Sequence, residues 1–78
     1  MKRKAKQKED SNALLDLILN KLDLKNDAAL SRVLEVAPPV ISKLRNQKLS
    51  VGPSILLRMH EETGLSIKQL KSQIEIRS

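Results

Sequence analysis

The 78-residue chain has no cysteine, no phenylalanine, tyrosine or tryptophan, and only two glycines. Without cysteine no disulfide can stabilise the fold, which fits a reducing, intracellular setting. Without aromatic residues the core must be aliphatic, and the base-stacking platforms of most RNA-binding modules are missing. The apolar runs are only a few residues long, which excludes a transmembrane helix.

Catalytic groups are also sparse. His60 is the only histidine, and we interpret it as a structural side chain because a metal site needs several convergent ligands. Glu61 and Glu62 are adjacent, so on a helix they point in different directions and do not form a carboxylate pair. Two glycines provide no phosphate-cradling loop, and no nucleophile has an evident base partner. We therefore expect no enzyme, no metal and no cofactor.

Positive charge is in excess: 15 Lys and Arg stand against 9 Asp and Glu, which gives a net charge of +6. Five of these cations lie in an N-terminal segment with almost no apolar residues: Lys2, Arg3, Lys4, Lys6 and Lys8. Such a segment cannot bury enough surface to fold, so we predict a flexible basic arm over residues 1–10 and one domain over residues 11–78. The arm either binds a polyanion, nucleic acid rather than a membrane surface, or is a solubilising tail.

Apolar residues recur at helical spacing after the arm, and no strand is predicted. The first helix is predicted over residues 12–23 with Ser11 as its N-cap, and the second over residues 27–34 with Asn26 as its N-cap. The residues expected to face the core are Leu14, Leu15, Ile18, Leu19, Leu22, Ala28, Leu30 and Leu34.

The adjacent Pro38 and Pro39 either break a helix or begin one. Proline in a helix interior removes a hydrogen bond and clashes with the preceding turn. The first N–H groups of a helix, however, have no partner within it, so proline is tolerated there. The residue before proline favours extended backbone, which makes Ala37 the end of a turn. The prolines therefore predict the start of a third helix, over residues 38–46, with Ile41 and Leu44 facing the core.

Two further helices follow. Pro53 is well placed to begin the fourth, and Gly64 ends it. Ser66 and Gln69 match a capping box that begins the fifth. Their predicted inner faces comprise Ile55, Leu56, Met59, Thr63, Ile67, Leu70 and Ile74. The predicted fold is all-α, a small bundle of about five short helices.

The segment NDAALSRVLEVAPPVISKLRNQK resembles the helix-turn-helix of the lambda-repressor-like class, which phage repressors and Cro proteins share. The small or apolar core positions of that motif match without a gap at Leu30, Ser31, Leu34, Val36, Ile41 and Leu44. The later ETGLSIKQL resembles the segment joining the family's fourth and fifth helices, so the similarity covers roughly residues 12–72. It implies a lambda-repressor-like bundle in which helices 2 and 3 form the helix-turn-helix.

The resemblance also implies a function: sequence-specific binding of double-stranded DNA by a cytoplasmic, bacterial or phage-like, nucleoid-associated transcriptional regulator. In this family the second motif helix enters the major groove with its N-terminal residues at base edges. The base-reading residues would be Ala37, Pro38, Pro39, Val40, Ser42 and Lys43. The phosphate contacts would be Asn26, Arg32, Arg45, Asn46 and Lys48. A twofold homodimer, formed in solution or only on DNA, would use Leu49, Val51, Ile74 and Ile76.

Side-chain chemistry limits what each of these residues can read. Lys43 is the best candidate for a guanine contact, whereas Ser42 can bond several bases and is weakly informative. Pro38 and Pro39 offer apolar edges to thymine methyl groups but no hydrogen bonds. Lys43 could equally be a solvated surface charge, and the prolines could be only a helix-starting device.

Three positions depart from the family pattern. Glu35, in the turn, and Gln47, after the reading helix, occupy positions that glycine often holds, and Glu35 would adopt a positive backbone angle only with strain. Asp27 stands where the family often has a glutamine at a phosphate, and a carboxylate there would repel phosphate. Asn26, or the N–H groups at the helix start, would then make the contact instead.

Other interpretations stay open from the sequence alone. Arg45 either contacts phosphate or pairs with an acid such as Asp16. Leu17, Leu57 and Ile76 lie off the predicted stripes and are either scattered surface residues or part of a dimer patch. The same fold also serves as a protein-interaction module, an adaptor or antitoxin-like partner, and fold alone does not fix function.

Overall fold

The computed structural model describes residues 8–77, and residues 1–7 with four of the arm's cations, Lys2, Arg3, Lys4 and Lys6, lie outside the described residues. Most of the described chain is helical. The elements in chain order are β1 (Lys8–Asp10), α1 (Asn12–Lys21), α2 (Asp27–Leu34), α3 (Pro38–Arg45), α4 (Pro53–Thr63), α5 (Ile67–Lys71) and β2 (Glu75–Arg77). The prediction of about five short helices is confirmed. No helix within residues 8–77 has the length and apolar character needed to cross a bilayer.

A two-stranded antiparallel sheet joins the two ends of the described chain. Lys8 is opposite Arg77, Glu9 opposite Ile76 and Asp10 opposite Glu75. The prediction that the chain has no strand is therefore wrong, and the all-α expectation is corrected to a mostly helical fold with a short sheet. Lys8–Asp10, the last residues of the expected arm, belong to this sheet.

The core is aliphatic with one methionine, as a chain without aromatic residues requires. Its buried side chains are Leu14, Leu15, Ile18, Leu30, Leu34, Ile41, Leu44, Val51, Leu56, Met59 and Leu70. The expectation that Ala28 faces the core is wrong, because its side chain is exposed. Residues two positions apart on a helix point roughly 200° away from each other, so Ala28 and Leu30 lie on opposite sides. Ser31 is buried instead, and its hydroxyl donates to the Ala28 carbonyl at 2.8 Å.

The start of α1 differs in detail from the prediction. Ser11 is the N-cap residue, but its buried hydroxyl makes no hydrogen bond. The Asp10 carboxylate accepts the Asn12 N–H at 3.0 Å and so takes the place of the cap. The helix ends at Lys21, two residues before the predicted end, since Asp23 adopts a left-handed conformation with φ 54°.

The connection from α2 to α3 follows the prediction. Glu35 is left-handed, with φ 59° and ψ 44°, and the Val36 N–H closes the turn on the Ser31 carbonyl at 3.0 Å. Ala37 is extended with ψ 145°, and the two prolines are the first residues of α3. The prolines therefore begin a helix, which ends at Arg45, one residue before the predicted end.

The last two helices begin and end through local signals. Pro53 starts α4, and Gly64 ends it with φ 77°, a backbone angle that strains any residue with a Cβ atom. The capping box of α5 is present: the Gln69 N–H donates to the Ser66 hydroxyl at 3.0 Å, and the Ser66 N–H donates to the Gln69 side chain at 2.9 Å. Of the predicted inner face of α5, Leu70 is buried whereas Ile67 is 36% exposed.

We predict that Ile41→Asp unfolds the domain. Ile41 is 1% exposed, and an unpaired carboxylate in the core costs more than a small domain can spare. Circular dichroism should show little helix and no cooperative melt. Ser42→Asp is the matched control, because the neighbouring side chain is exposed and should tolerate the same charge. A cooperative Ile41→Asp melt near the parent temperature would contradict the burial of Ile41.

Candidate nucleic-acid interface

The outward face of α3 carries the side chains that the sequence assigned to base reading. Ile41 and Leu44 hold the helix against the core at 1% and 0% exposure. The opposite side leaves five of the assigned residues exposed and Val40 half-buried against the core. The exposed residues are Ala37, Pro38, Pro39, Ser42 and Lys43. The first turns of α3 thus present a continuous surface to solvent.

Four of the expected phosphate contacts are also exposed: Asn26, Arg32, Asn46 and Lys48. The Asn26 side-chain oxygen caps α2 by accepting the Ala29 N–H at 2.9 Å. The Asn46 amide group donates to the Ser42 carbonyl at 2.9 Å. The Lys48 N–H donates to the Lys43 carbonyl at 2.8 Å across a left-handed Gln47 with φ 56°. This turn brings Lys43, Asn46 and Lys48 to the same end of α3.

Arg45 is the exception among the expected phosphate contacts. Its Nε and one terminal nitrogen donate to the two carboxylate oxygens of Asp27 at 3.0 and 2.8 Å. The other terminal nitrogen donates to Asp16 at 2.9 Å and to the Asn12 side chain at 3.0 Å. Its side chain is 22% exposed. The pairing with Asp16 considered from the sequence is present, and the guanidinium is already occupied by carboxylates.

The ion pair with Arg45 also shifts the pKa of Asp27. Hydrogen bonds from the Arg45 guanidinium hold the pKa of Asp27 below its ordinary 3.8, although partial burial opposes this shift. The Asp27 carboxylate in turn raises the pKa of Arg45. The negative charge at the start of α2 is thus neutralised within the protein rather than left facing a phosphate.

A second arginine pairs with the carboxylate in the turn before α3. Arg58 pairs with Glu35 at 3.1 Å, with Glu61 at 3.4 Å and with Glu62 at 3.2 Å. It also donates to the Val33 carbonyl at 3.1 Å, which ties α4 to the end of α2. No acidic residue lies between Glu35 and Glu61 in the sequence, and Asp27 and Glu35, the acids before α3, are each paired with an arginine.

Three cations around α3 remain outside these ion pairs: Arg32, Lys43 and Lys48, as far as residues 8–77 show. A shallow depression of about 300 Å³ lies between the start of α2 and α3. It is lined by Asp27, Ala28, Pro38, Ile41, Ser42 and Arg45. Its charged lining residues are the paired Asp27 and Arg45, and the three unpaired cations are not part of its lining.

The four residues expected to form a dimer contact differ in how far they are buried. Val51 is 8% exposed and belongs to the core, so its assignment to a surface contact is wrong. Ile74 is half-buried against the core. Leu49 and Ile76 remain exposed, at 38% and 57%.

The cluster of Asn12, Asp16, Asp27 and Arg45 is the part of this region that sequence reasoning largely missed. Arg45 lies 18 residues from Asp27 and 29 from Asp16, so no local spacing indicates that they meet. His60 is exposed, and its Nδ1 lies 2.7 Å from the Leu65 carbonyl. The described residues contain no group of His, Cys, Asp and Glu side chains that could hold a metal ion.

We predict that Asp27→Asn lowers stability at neutral pH and that this loss fades in acid. A carboxyl group whose folded-state pKa is depressed stabilises the fold fully above its ordinary pKa of 3.8. This contribution disappears as the pH falls through the folded-state pKa. Because the Asp27 side chain is 43% exposed, screening keeps the effect to about 1 kcal/mol or less.

Urea unfolding of the parent and of Asp27→Asn between neutral pH and acid checks this prediction. In an Arg45→Gln background the substitution should change the pH dependence much less, because the partner that causes most of the pKa shift is gone. A stability difference that stays constant with pH in the presence of Arg45 would contradict the assigned role of the ion pair.

Comparisons with known proteins give no match for this chain. No protein-family model matches the chain, and no curated protein and no solved structure matches it. The functional interpretation therefore rests on the geometry and charge of the chain itself, above all on the exposed face of α3 and the paired carboxylates that surround it.

Proposed function

We propose that this protein is a sequence-specific regulator of transcription, of the repressor and Cro type, that binds double-stranded DNA by inserting α3 into the major groove. One observation carries the proposal. The first turns of α3 expose Pro38, Pro39, Ser42 and Lys43, while the two acids that flank this helix in sequence, Asp27 and Glu35, are each paired with an arginine. The pairing weakens the repulsion between these acids and a phosphate backbone, and the exposed lysine favours its approach.

The path of the chain supports the same proposal. α2 and α3 pack against each other, and three residues, from Glu35 to Ala37, join them. Two short helices joined by so short a turn are typical of a helix-turn-helix, whose second helix reads the major groove. The left-handed Glu35 supplies the backbone conformation for which glycine is the usual residue.

Base recognition would depend on few hydrogen bonds. Lys43 is the residue suited to guanine, and the Ser42 hydroxyl can bond either a donor or an acceptor. Pro38 and Pro39 have no N–H to donate, so they would pack on thymine methyl groups. We expect a recognition sequence in which one or two positions are strongly specified and the adjacent ones favour thymine.

Phosphate contacts would come from Arg32, Lys48 and the side-chain amides of Asn26 and Asn46. The N–H groups at the start of α2 add a site with the positive end of the helix dipole. Arg45 is not included, because contacting phosphate would require it to leave Asp27 and Asp16. Its role in this proposal is to hold α3 in place.

We propose further that the protein binds as a twofold dimer, either preformed or assembled on DNA. One reading helix covers only a few base pairs, and related motifs double this information with two helices about 34 Å apart. The exposed Leu49 and Ile76 are the remaining members of the contact set that the sequence assigned to a dimer.

The decisive experiment is selection of bound sequences from a random duplex pool, followed by a salt titration on the enriched site. An enriched palindrome with steeply salt-dependent binding is the expected result. An adaptor or antitoxin-like partner should bind no duplex even at low salt, and this outcome would overturn the proposal.

We predict that Lys43→Ala weakens binding to the selected site and relaxes the preference at about one base pair. Loss of one good base contact costs about 1–3 kcal/mol of discrimination. The fold should be unaffected, since Lys43 is exposed. Lys21→Ala, which removes an exposed cation from α1, is the control and should leave the preferred sequence unchanged. An unchanged motif and affinity for Lys43→Ala would show that α3 is not docked as proposed.

We predict that deleting residues 2–7 lowers DNA affinity and flattens its salt dependence. The deletion removes Lys2, Arg3, Lys4 and Lys6 but spares β1, which begins at Lys8. Each neutralised phosphate contributes about −0.9 to the log–log salt slope, so the slope should fall by up to about four such contributions. Changing the same four residues to glutamine should match the deletion. An unchanged slope would mean that the arm is only a solubilising tail.

A further inference from the structure

Exposed aliphatic side chains concentrate around one groove, on residues that are not part of the α3 surface. Residues 8–77 expose four large apolar side chains, and three of them border this groove: Leu57 at 51%, Ile67 at 36% and Ile76 at 57%. Two adjoining depressions form it, the larger of about 550 Å³, and they share Glu9, Val51, Leu56 and Lys71. Exposed apolar side chains grouped around one groove are a feature of association sites.

Two opposite charges line the same groove without meeting each other. One carboxylate oxygen of Glu9, Oε1, is buried and has no hydrogen-bond partner. Lys71 lies in the last turn of α5 on an exposed stretch, and it forms no ion pair with Glu9 in the described part of the chain. A buried carboxylate oxygen without a donor is unfavourable. Within the groove, Glu9 thus has no cation or N–H donor and Lys71 has no anion. Because Oε1 is buried, another molecule would reach this carboxylate through its other oxygen, Oε2.

We propose that the groove binds a second copy of this chain through a twofold axis, with Glu9 paired to the partner subunit's Lys71 and Lys71 paired to the partner subunit's Glu9. A twofold interface brings the same surface of both copies together. One unsatisfied carboxylate and one unpaired ammonium on that surface become two identical ion pairs, and the aliphatic side chains around them cover one another. Charge complementarity thus selects a second copy as the occupant.

This interface would leave α3 free. The residues that line the groove include none of those that line the depression between α2 and α3. This interface rests on the proposed function for its biological role and adds to it, because the dimer would supply the second reading helix. It is tested without DNA, so the interface and the DNA binding can fail independently.

The experiment is sedimentation of the full chain over a range of concentrations, alone and in mixtures. The parent should dimerise. Glu9→Lys places two lysines at each contact and Lys71→Glu places two glutamates there, so each variant alone should bind itself at least about tenfold more weakly. An equimolar mixture of the two should dimerise again, because both contacts of the mixed dimer then join one lysine to one glutamate. Lys68→Glu, an exposed charge reversal on the same helix, is the control and should dimerise like the parent.

Restoration in the mixture cannot come from refolding, because no chain in it differs from those that fail alone. Circular dichroism of each variant checks that the sheet substitution at Glu9 leaves the helices intact. A parent that stays monomeric at every concentration, or single variants that dimerise like the parent, would overturn the proposal. Failure of the mixture to restore the dimer would do so as well. Duplex binding by a monomeric parent would preserve the proposed function while removing this interface.

Discussion

The bidentate ion pair between Arg45 and Asp27 fixes the position of α3, and the rest of the proposed reading surface depends on it. Hydrophobic contacts of Ile41 and Leu44 hold the helix against the core, but aliphatic packing alone tolerates sliding and rotation. The guanidinium adds directional hydrogen bonds to Asp27 at the start of α2 and to Asp16 on α1. Partly exposed ion pairs add little net stability. What this one contributes is orientation, because a planar group bound on both sides has a single favourable geometry.

The arginine clusters also determine which charges remain for a ligand. Arg45 and Arg58 are both occupied by carboxylates, so neither is available as a free cation. Asp27 and Glu35 are each paired with an arginine, which weakens their repulsion of an approaching anion. Arg32, Lys43 and Lys48 are the cations around α3 that lie outside these ion pairs, as far as the described residues show. Counting the cations in the sequence therefore overstates the number that are free to meet an anionic ligand.

The helices could be predicted from the sequence because their signals are local. Pro38 fixes the start of α3, Gly64 the end of α4, and Ser66 with Gln69 the start of α5, each through contacts within a few residues. The sheet could not be predicted, since strands of three residues have no periodicity and pair only after the two ends of the chain meet. The partners of Arg45 lie 18 and 29 residues away in the sequence, so local spacing does not indicate that they meet it. Val51 was misassigned because a loop residue in sequence can still be a core residue in space.

The chemistry of Pro38 and Pro39 limits how much sequence one copy could read. These residues occupy the first turn of α3, where related motifs carry donors and acceptors, and they can offer only apolar contact. Under the proposed function, Lys43 and Ser42 would supply the remaining direct hydrogen bonds, and of the two only Lys43 would discriminate between bases, at about one position. Phosphate contacts add affinity and register but no sequence information. A single copy would thus bind many sites with similar affinity. Selectivity would have to come from a second α3 at a fixed separation and from the shape of the DNA between the two half-sites. If α3 reads DNA as proposed, its limited chemistry therefore favours a twofold arrangement, whichever surface forms the dimer.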